Sequence, residues 1–514
     1  MRNSTYSPSN IRASLRKFAI GKAITAPGTF LLVFVLAATM PGPDYAAYVV
    51  ATSGLELALA ISAFGLDWIM QMAIPSARTH GNNTQLRKLV ALLAGLQAVP
   101  YLLCGTCFWL FSELISRGLG GVAPAELIEF YGLIVVAEGC GRMFRDQILS
   151  ALLMQGVVQV LTLMRLLIMG GAIFWFWMSG DTITAQRIAY VELTASCMTV
   201  LVGGLSLLHY LRRGPGTDET GDTSIRRWFG LDSFRLAKHA YGSFLLTMCL
   251  SAELATIFVA RYLGADATGA FGFAIRVVDQ IRRFLPMDLL WSLIRPALVG
   301  RYETFGQNFQ ILTKDITLVL RANLILLGGA MVVFFGIGEQ LIATLTHGKV
   351  VLPAFLLAAF LPQVLGHSVR RSLELMSFMV GQSRVFLRGS LAALAAPLLY
   401  LLLVTTFPSL YLIALGMTIA EALFSSIVAY GLHRAGYKLN VKLSQWVMLA
   451  VAVQLCGLLA ALICREWPTV PGMIAAAGTG GLLYLASLPL IGLASWRDVG
   501  SLVAMVRPRP SDAG

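Results

Sequence analysis

Apolar stretches of about 20 residues, separated by short polar turns, recur along the whole chain, starting near residues 18, 45, 89, 124, 155, 187, 239, 266, 315, 351, 389, 408, 443 and 471. A helix of about 20 apolar residues crosses the hydrocarbon of a bilayer, so the pattern predicts fourteen transmembrane helices and an all-α polytopic membrane protein. The first span, Ile20 to Met40, is long for the core of a cleaved leader and runs into Pro41-Gly42-Pro43, a turn between spans. It is expected to stay as a helix. Pro27-Gly28 is expected to break this span locally, and Pro286 to break the eighth.

The longest polar interruption, residues 212–238, is rich in Gly, Pro, Asp and Thr and reads as a cytoplasmic linker. It divides six spans from eight. The expected organisation is an N-terminal lobe (1–211), the linker, a six-span C-terminal lobe (239–440), and two further spans with a cytoplasmic tail (441–514). Because six is even, the chain re-enters the membrane in the same direction after the linker, so the lobes are expected to be parallel, pseudo-symmetric repeats around a central cavity. Two stretches support the repeat. GPDYAAYVVATSGLE from Gly42 and GADATGAFGFAIRVVD from Gly264 each follow the first span of a lobe, open with Gly-x-Asp, reach Ala47-Tyr48 or Ala270-Phe271, and then place an acid, Glu56 or Asp279. Each also carries a proline near its inner end, Pro75 or Pro296.

Composition agrees with a membrane class: 57% of residues are hydrophobic, 13% are charged and the mean hydropathy is +0.75, which excludes a soluble domain and a disordered chain. The net charge of +13 could point to nucleic acid. Its distribution points to membrane topology instead. With a cytoplasmic N-terminus, 28 Lys and Arg fall on inside segments, five on outside segments and six within spans, which places both termini in the cytoplasm and leaves no nucleic-acid partner. Seven cysteines show no zinc-ligand spacing and no disulfide framework, and the Cys104/Cys107 pair inside a span reads as packing. No metal or other cofactor is implied, and the scattered histidines His209, His239 and His367 read as packing or interface residues.

Charges within spans are costly, so each is expected to face a partner or a watery cavity. In FGFAIRVVDQIRRFL, residues 271–285, Arg276, Asp279 and Arg283 share a helical face while Arg282 is rotated by about 120°. Asp279 is within reach of Arg276 at i,i+3 and of Arg283 at i,i+4. A second cluster, in VAEGCGRMFRDQ, puts Glu138, Arg142 and Arg145 on one face with Asp146 able to pair with Arg142, and Arg165 sits mid-span in the fifth helix. Glu56, Asp67, Glu192 and Glu253 are further acids in spans. Arginine suits a phosphate-bearing ligand because its planar guanidinium donates two parallel hydrogen bonds and stays charged.

The residues Gly42 to Tyr48, Gly65-Leu66, Ile74 to Arg78 and Gly264 to Ala274 resemble the Wzx-type polysaccharide flippases of the multidrug/oligosaccharidyl-lipid/polysaccharide exporter superfamily; Ala47 stands where family members carry Gly. The resemblance implies a non-enzymatic transporter in a bacterial plasma membrane. Its cargo would be an undecaprenyl-diphosphate-linked oligosaccharide destined for capsule, exopolysaccharide or lipopolysaccharide. It would act as a monomer beside glycosyltransferases and a polymerase. On this reading Arg276, Asp279, Arg283, Arg165, Arg142 and Glu138 are cavity residues for the headgroup, and Glu56, Asp67 and Glu253 are candidates for a coupling ion. The competing readings are an exporter of small cations from the same superfamily and a membrane-embedded glycosyltransferase or polymerase. The latter is expected to need acids or a sizeable catalytic loop outside, and the longest outside segments, around 112–125 and 338–350, hold no paired-carboxylate or nucleophile motif.

Overall fold

The computed structural model of the chain describes residues 8–80, 83–213, 231–289, 309–346, 348–349, 356–437 and 443–493. Every regular element among them is helical. In chain order these are α1 (Pro8–Thr39), α2 (Gly42–Ser62), α3 (Leu66–His80), α4 (Asn83–Leu110), the short α5 (Ser112–Gly118), α6 (Ala125–Arg142), α7 (Gln155–Met178) and α8 (Ala185–Arg212). Then come α9 (Leu231–Thr247), α10 (Ala252–Phe284), α11 (Pro286–Leu289), α12 (Phe309–Leu345), α13 (Leu356–Met379), α14 (Ser383–Ser390), α15 (Ala395–Thr406), α16 (Leu410–Arg434), α17 (Leu443–Glu466) and α18 (Val470–Ile491).

Each of the fourteen expected spans coincides with one of these helices or with a short series of them. Ten helices among the described residues are long and apolar enough to cross a membrane by composition alone, or eleven if the pair meeting at Ser251, bent by 40°, is one span. Outside those ten stand α6, α13 and the bent pair. These are the helices that carry Glu138 and Arg142, Arg370 and Arg371, and Arg276 to Arg283. Their lower apolarity comes from the charges they carry.

Two compact units divide the chain, Met1–Gly272 and Phe273–Gly514. In the first, α4 packs along α6, α6 on α8 and α1 on α7; in the second, α12, α17 and α18 pack on one another and α13 packs on α16. Helices in a bilayer gain little from hiding apolar surface, so close backbone approach matters more. The α4–α6 crossing is made by Gly105 and Gly132, where an added Cβ would meet the opposite backbone carbonyl oxygen at 2.5 and 2.6 Å. Gly132→Leu is therefore expected to force these helices apart and to cost about 1–3 kcal/mol, read as a lowered melting temperature of the detergent-purified protein. Gly170→Leu, at a glycine with open space in front of it, should change it little. Large apolar side chains on the outside, such as Leu490 at 84% and Trp175 at 69% exposure, match a surface solvated by lipid.

The expected turns are met differently. Asp44, of the first Gly-x-Asp, accepts a hydrogen bond from the Ala185 backbone N–H at 2.9 Å and so caps the start of α8. Gly264, of the second, takes φ 81° and ψ −173°, a conformation open to glycine, and kinks α10 where the outside turn was expected. Pro286 opens α11 after a break at Leu285, as expected. Pro27 does not break α1, which is helical throughout. Gly28 lets Leu166 of α7 approach to within 2.4 Å of where a Cβ would stand, and this packing supports the helix across the proline. The second span is interrupted instead, between Ser62 and Leu66, with Phe64 at φ 47° and Gly65 at φ 71°. Linker residues 214–230, Pro296 and the tail beyond Leu493 lie outside the described residues.

Candidate functional site

In the first unit the membrane charges form a closed chain. Glu56 of α2 receives both Nη atoms of Arg142 at 2.7 and 2.6 Å, a bidentate pair. Arg142 turns its Nε to Glu138 Oε1 at 2.8 Å, and Glu138 Oε2 accepts from Arg165 Nη1 and, at 2.9 Å, from Ser196 Oγ. Glu138 is only 2% exposed. Two carboxylates and two guanidiniums thus neutralise one another across α2, α6 and α7, and α8 contributes the serine hydroxyl. Asp146 pairs with Arg145 at 2.8 Å, not with Arg142. The cause is local: α6 continues as a π-helical turn over Met143–Leu149, whose wider turn moves residue i+4 off the face that an α-helix would give it.

A separate buried acid, Glu192 of α8, accepts from Tyr48 OH at 3.3 Å and from Tyr131 OH at 3.0 Å. Glu253 begins α10, where the free N–H groups of a helix start favour a carboxylate. Asp67 lies in the first turn of α3, just after the interruption of the second span. An apolar groove of about 570 Å³ between α1 and α7, lined by residues such as Leu31, Leu166, Phe174 and Trp177, carries no charge.

The second unit holds the other cluster. Asp279 of α10 pairs with Arg282 at 3.2 Å, the arginine the helical wheel rotates away from Arg276. The spacing from 279 to 282 is again i,i+3, so this partner is as reachable as Arg276. Arg276 is half-buried and Arg283 exposed. Asp288 of α11, 10% exposed, receives Arg371 Nη1 of α13 at 3.0 Å. Arg370 approaches Glu421 Oε1 of α16 at 3.4 Å and lies 2.7 Å from His367 Nδ1. Arginine can only donate, so Nδ1 of His367 accepts and its Nε2 carries the proton, facing Asp288 Oδ1 at 4.0 Å. Asn323 of α12 fixes the frame: its Oδ1 accepts from the Met287 N–H at 2.9 Å and its Nδ2 donates to Ser368 Oγ at 3.0 Å.

Asp288, His367, Arg370, Arg371 and Glu421 are not among the site residues expected from sequence. The signal is present in HSVRRSLE, where His367, Arg370, Arg371 and Glu374 fall at i, i+3, i+4 and i+7 on one helical stripe. Counting Arg370 and Arg371 as inside residues conceals it. All seven cysteines are unpaired, and Cys104 Sγ lies 3.9 Å from the Ala58 carbonyl oxygen.

No family model matches the sequence, and no curated protein does. Solved structures match the fold. A lipid II flippase, MurJ, in an inward closed conformation aligns with TM-score 0.61 at 11% identity, covering 92% of this chain and 98% of its own. An inward-facing multidrug resistance MATE family transporter of the MOP superfamily aligns with TM-score 0.56 at 13% identity, over 82% of this chain and 98% of its own. A point mutant of the Vibrio cholerae MATE transporter VcmN gives 0.53 at 15% identity over the same shares. This multi-pass membrane chain therefore has the fold that the lipid II flippase shares with the MATE transporters of the MOP superfamily.

Proposed function

We propose that the protein is a flippase that moves a lipid-diphosphate-linked oligosaccharide from the inner to the outer leaflet of a bacterial plasma membrane by alternating access, for surface polysaccharide biosynthesis. The observation that carries this reading is the likeness to a lipid II flippase over 92% of this chain, against 82% for the MATE transporters. The buried arginines supply the chemistry. A diphosphate crossing hydrocarbon needs cations in a water-filled path, and Arg142, Arg165, Arg276, Arg282, Arg370 and Arg371 lie in spans of the two units. In the empty protein carboxylates hold Arg142, Arg165, Arg282, Arg370 and Arg371; an incoming diphosphate takes a carboxylate's place on a guanidinium fork. Glycosyltransferases and a polymerase would supply and consume the cargo.

Deleting the gene should leave lipid-linked repeat units on the inner leaflet and remove the surface glycan, and the wild-type chain should restore both. Normal surface glycan in the deletion strain, with no accumulated intermediate, would overturn the reading. The MATE likeness keeps a small-cation exporter as the second reading; lost efflux of lipophilic cations, with glycan export intact, would identify it. The charge distribution supports a cytoplasmic side for both termini and the 212–238 linker. A phosphatase reporter fused after residue 225 should accordingly be silent, and an active fusion would reverse the topology.

A further inference from the structure

Helix α10 stops at Phe284, and the chain restarts as α11 at Pro286, which has no N–H and cannot continue the helix before it. The next amide, that of the buried Met287, then begins a helix with no intrahelical acceptor and requires a partner. Leu285, where a capping side chain would stand, carries no oxygen to take it. Asn323 of α12 supplies one: its Oδ1 accepts from the Met287 N–H at 2.9 Å. A backbone N–H can only donate, so this bond fixes which way the amide points, and Nδ2 turns to Ser368 Oγ of α13 at 3.0 Å. Ser368 donates in turn to the Val364 carbonyl at 3.1 Å. Asn323, 1% exposed, thus ties α11 to α13.

Those two elements carry the facing halves of the charge cluster. Asp288 follows Met287, while His367 precedes Ser368 and Arg371 lies one turn beyond it. Asp288 meets Arg371 Nη1 through Oδ1 alone, at 3.0 Å, and its buried Oδ2 meets no donor. The Nε2–H of His367 meets no acceptor either; it stands 4.0 Å from Asp288 Oδ1, about 1 Å beyond hydrogen-bond reach. A buried carboxylate oxygen and a buried imidazole N–H left apart each carry a desolvation cost that their pairing would remove. Something must therefore hold α11 back, and the Asn323 amide is a direct tie between the two elements. The Arg371 side chain stays 34% exposed, against 14% for Arg370. A guanidinium held by one oxygen and open on one side can exchange that oxygen for another anion.

We propose that Asn323 is a positioning residue for transport: as a spacer between α11 and α13 it keeps Asp288 from closing on His367 and Arg371 together, so that Arg371 stays available to the anionic group of the cargo. The inference rests on the flippase reading for the cargo that Arg371 meets. The spacing itself is tested without cargo.

The first measurement is a thermal-unfolding cycle on the purified full-length protein in detergent. Asp288→Asn, His367→Phe and the two together are compared in the wild type and in Asn323→Ala. In the wild type the two melting-temperature shifts should add, because the groups stand apart; in Asn323→Ala the double variant should lose less than their sum, because the released α11 lets them pair. Where Asn323→Ala does not fold, Ser368→Ala cuts the same tie at its α13 end and should show the same change. The second measurement follows the initial transport rate in proteoliposomes against the concentration of an undecaprenyl-diphosphate-linked oligosaccharide. Asn323→Ala should raise KM about tenfold with the maximal rate little changed. Adding Asp288→Asn should bring KM back, since no carboxylate is left to close on Arg371. Absence of transport by the wild type counts against the flippase reading alone, and the unfolding cycle then decides on Asn323. Identical coupling in both backgrounds, or a lower maximal rate at unchanged KM that Asp288→Asn does not relieve, would overturn the proposal.

Discussion

Replacing Glu138 by Ala should destabilise the first unit by about 3–5 kcal/mol, the cost of removing one partner from a buried ion pair. Glu138 is 2% exposed, and its two oxygens serve Arg142, Arg165 and Ser196. Without it Arg165 loses its carboxylate, while Arg142 still has Glu56. Arg165 should therefore be the source of the loss, and Glu138→Ala combined with Arg165→Met should recover most of it, since the charge left alone is then removed. Thermal unfolding of the detergent-purified variants reads both effects. Glu113→Ala is the contrast. It removes an i,i+4 pair with Arg117 in which both side chains are largely exposed, 75% and 80%, and should leave the melting temperature unchanged. Equal losses from Glu113→Ala and Glu138→Ala would contradict the weight placed on burial.

Replacing Arg276 by Ala should abolish export of the lipid-linked glycan while the protein still accumulates in the membrane. Arg276 is half-buried in α10, one turn before Asp279, and Asp279 is paired with Arg282. On the proposed reading its guanidinium meets the diphosphate from the water-filled side. Arg276→Lys keeps the charge but loses the planar fork, so it should restore only part of the export. Surface glycan and inner-leaflet intermediates, measured at matched protein levels, check this. Full export by Arg276→Ala would remove the residue from the substrate path.

The helices are readable from sequence because hydropathy in a bilayer is nearly one-dimensional: about 20 apolar residues suffice to mark a span, and all fourteen expected spans have helical counterparts. Which spans carry charge is readable for the same reason, and Glu138, Arg142 and Arg165 do come together. Partner choice is not. Glu56 and Arg142 are 86 residues apart in sequence, and nothing in the local spacing selects that pair over Arg142 and Asp146. The π turn that decides against the second pair has no sequence mark. Likewise, Pro27 looks like a break and is not one, whereas the real interruption, at Phe64-Gly65, rests on one glycine and a left-handed phenylalanine. Both outcomes depend on neighbours, Leu166 in one case and Gln97 with Tyr241 in the other. The stripe His367, Arg370, Arg371 and Glu374 is legible, but its two arginines also satisfy the topology count, which hides their place among the membrane charges.

The most direct test of the flippase reading is reconstitution. The purified chain is placed in proteoliposomes containing an undecaprenyl-diphosphate-linked oligosaccharide, and the fraction of glycan accessible to an added lectin or glycosidase outside is followed in time. The account predicts that glycan initially facing the lumen becomes accessible in the presence of the wild-type protein, and stays protected in empty liposomes and with Arg276→Ala. Glycan that stays protected with correctly folded wild-type protein, while the same vesicles transport a lipophilic cation, would contradict it.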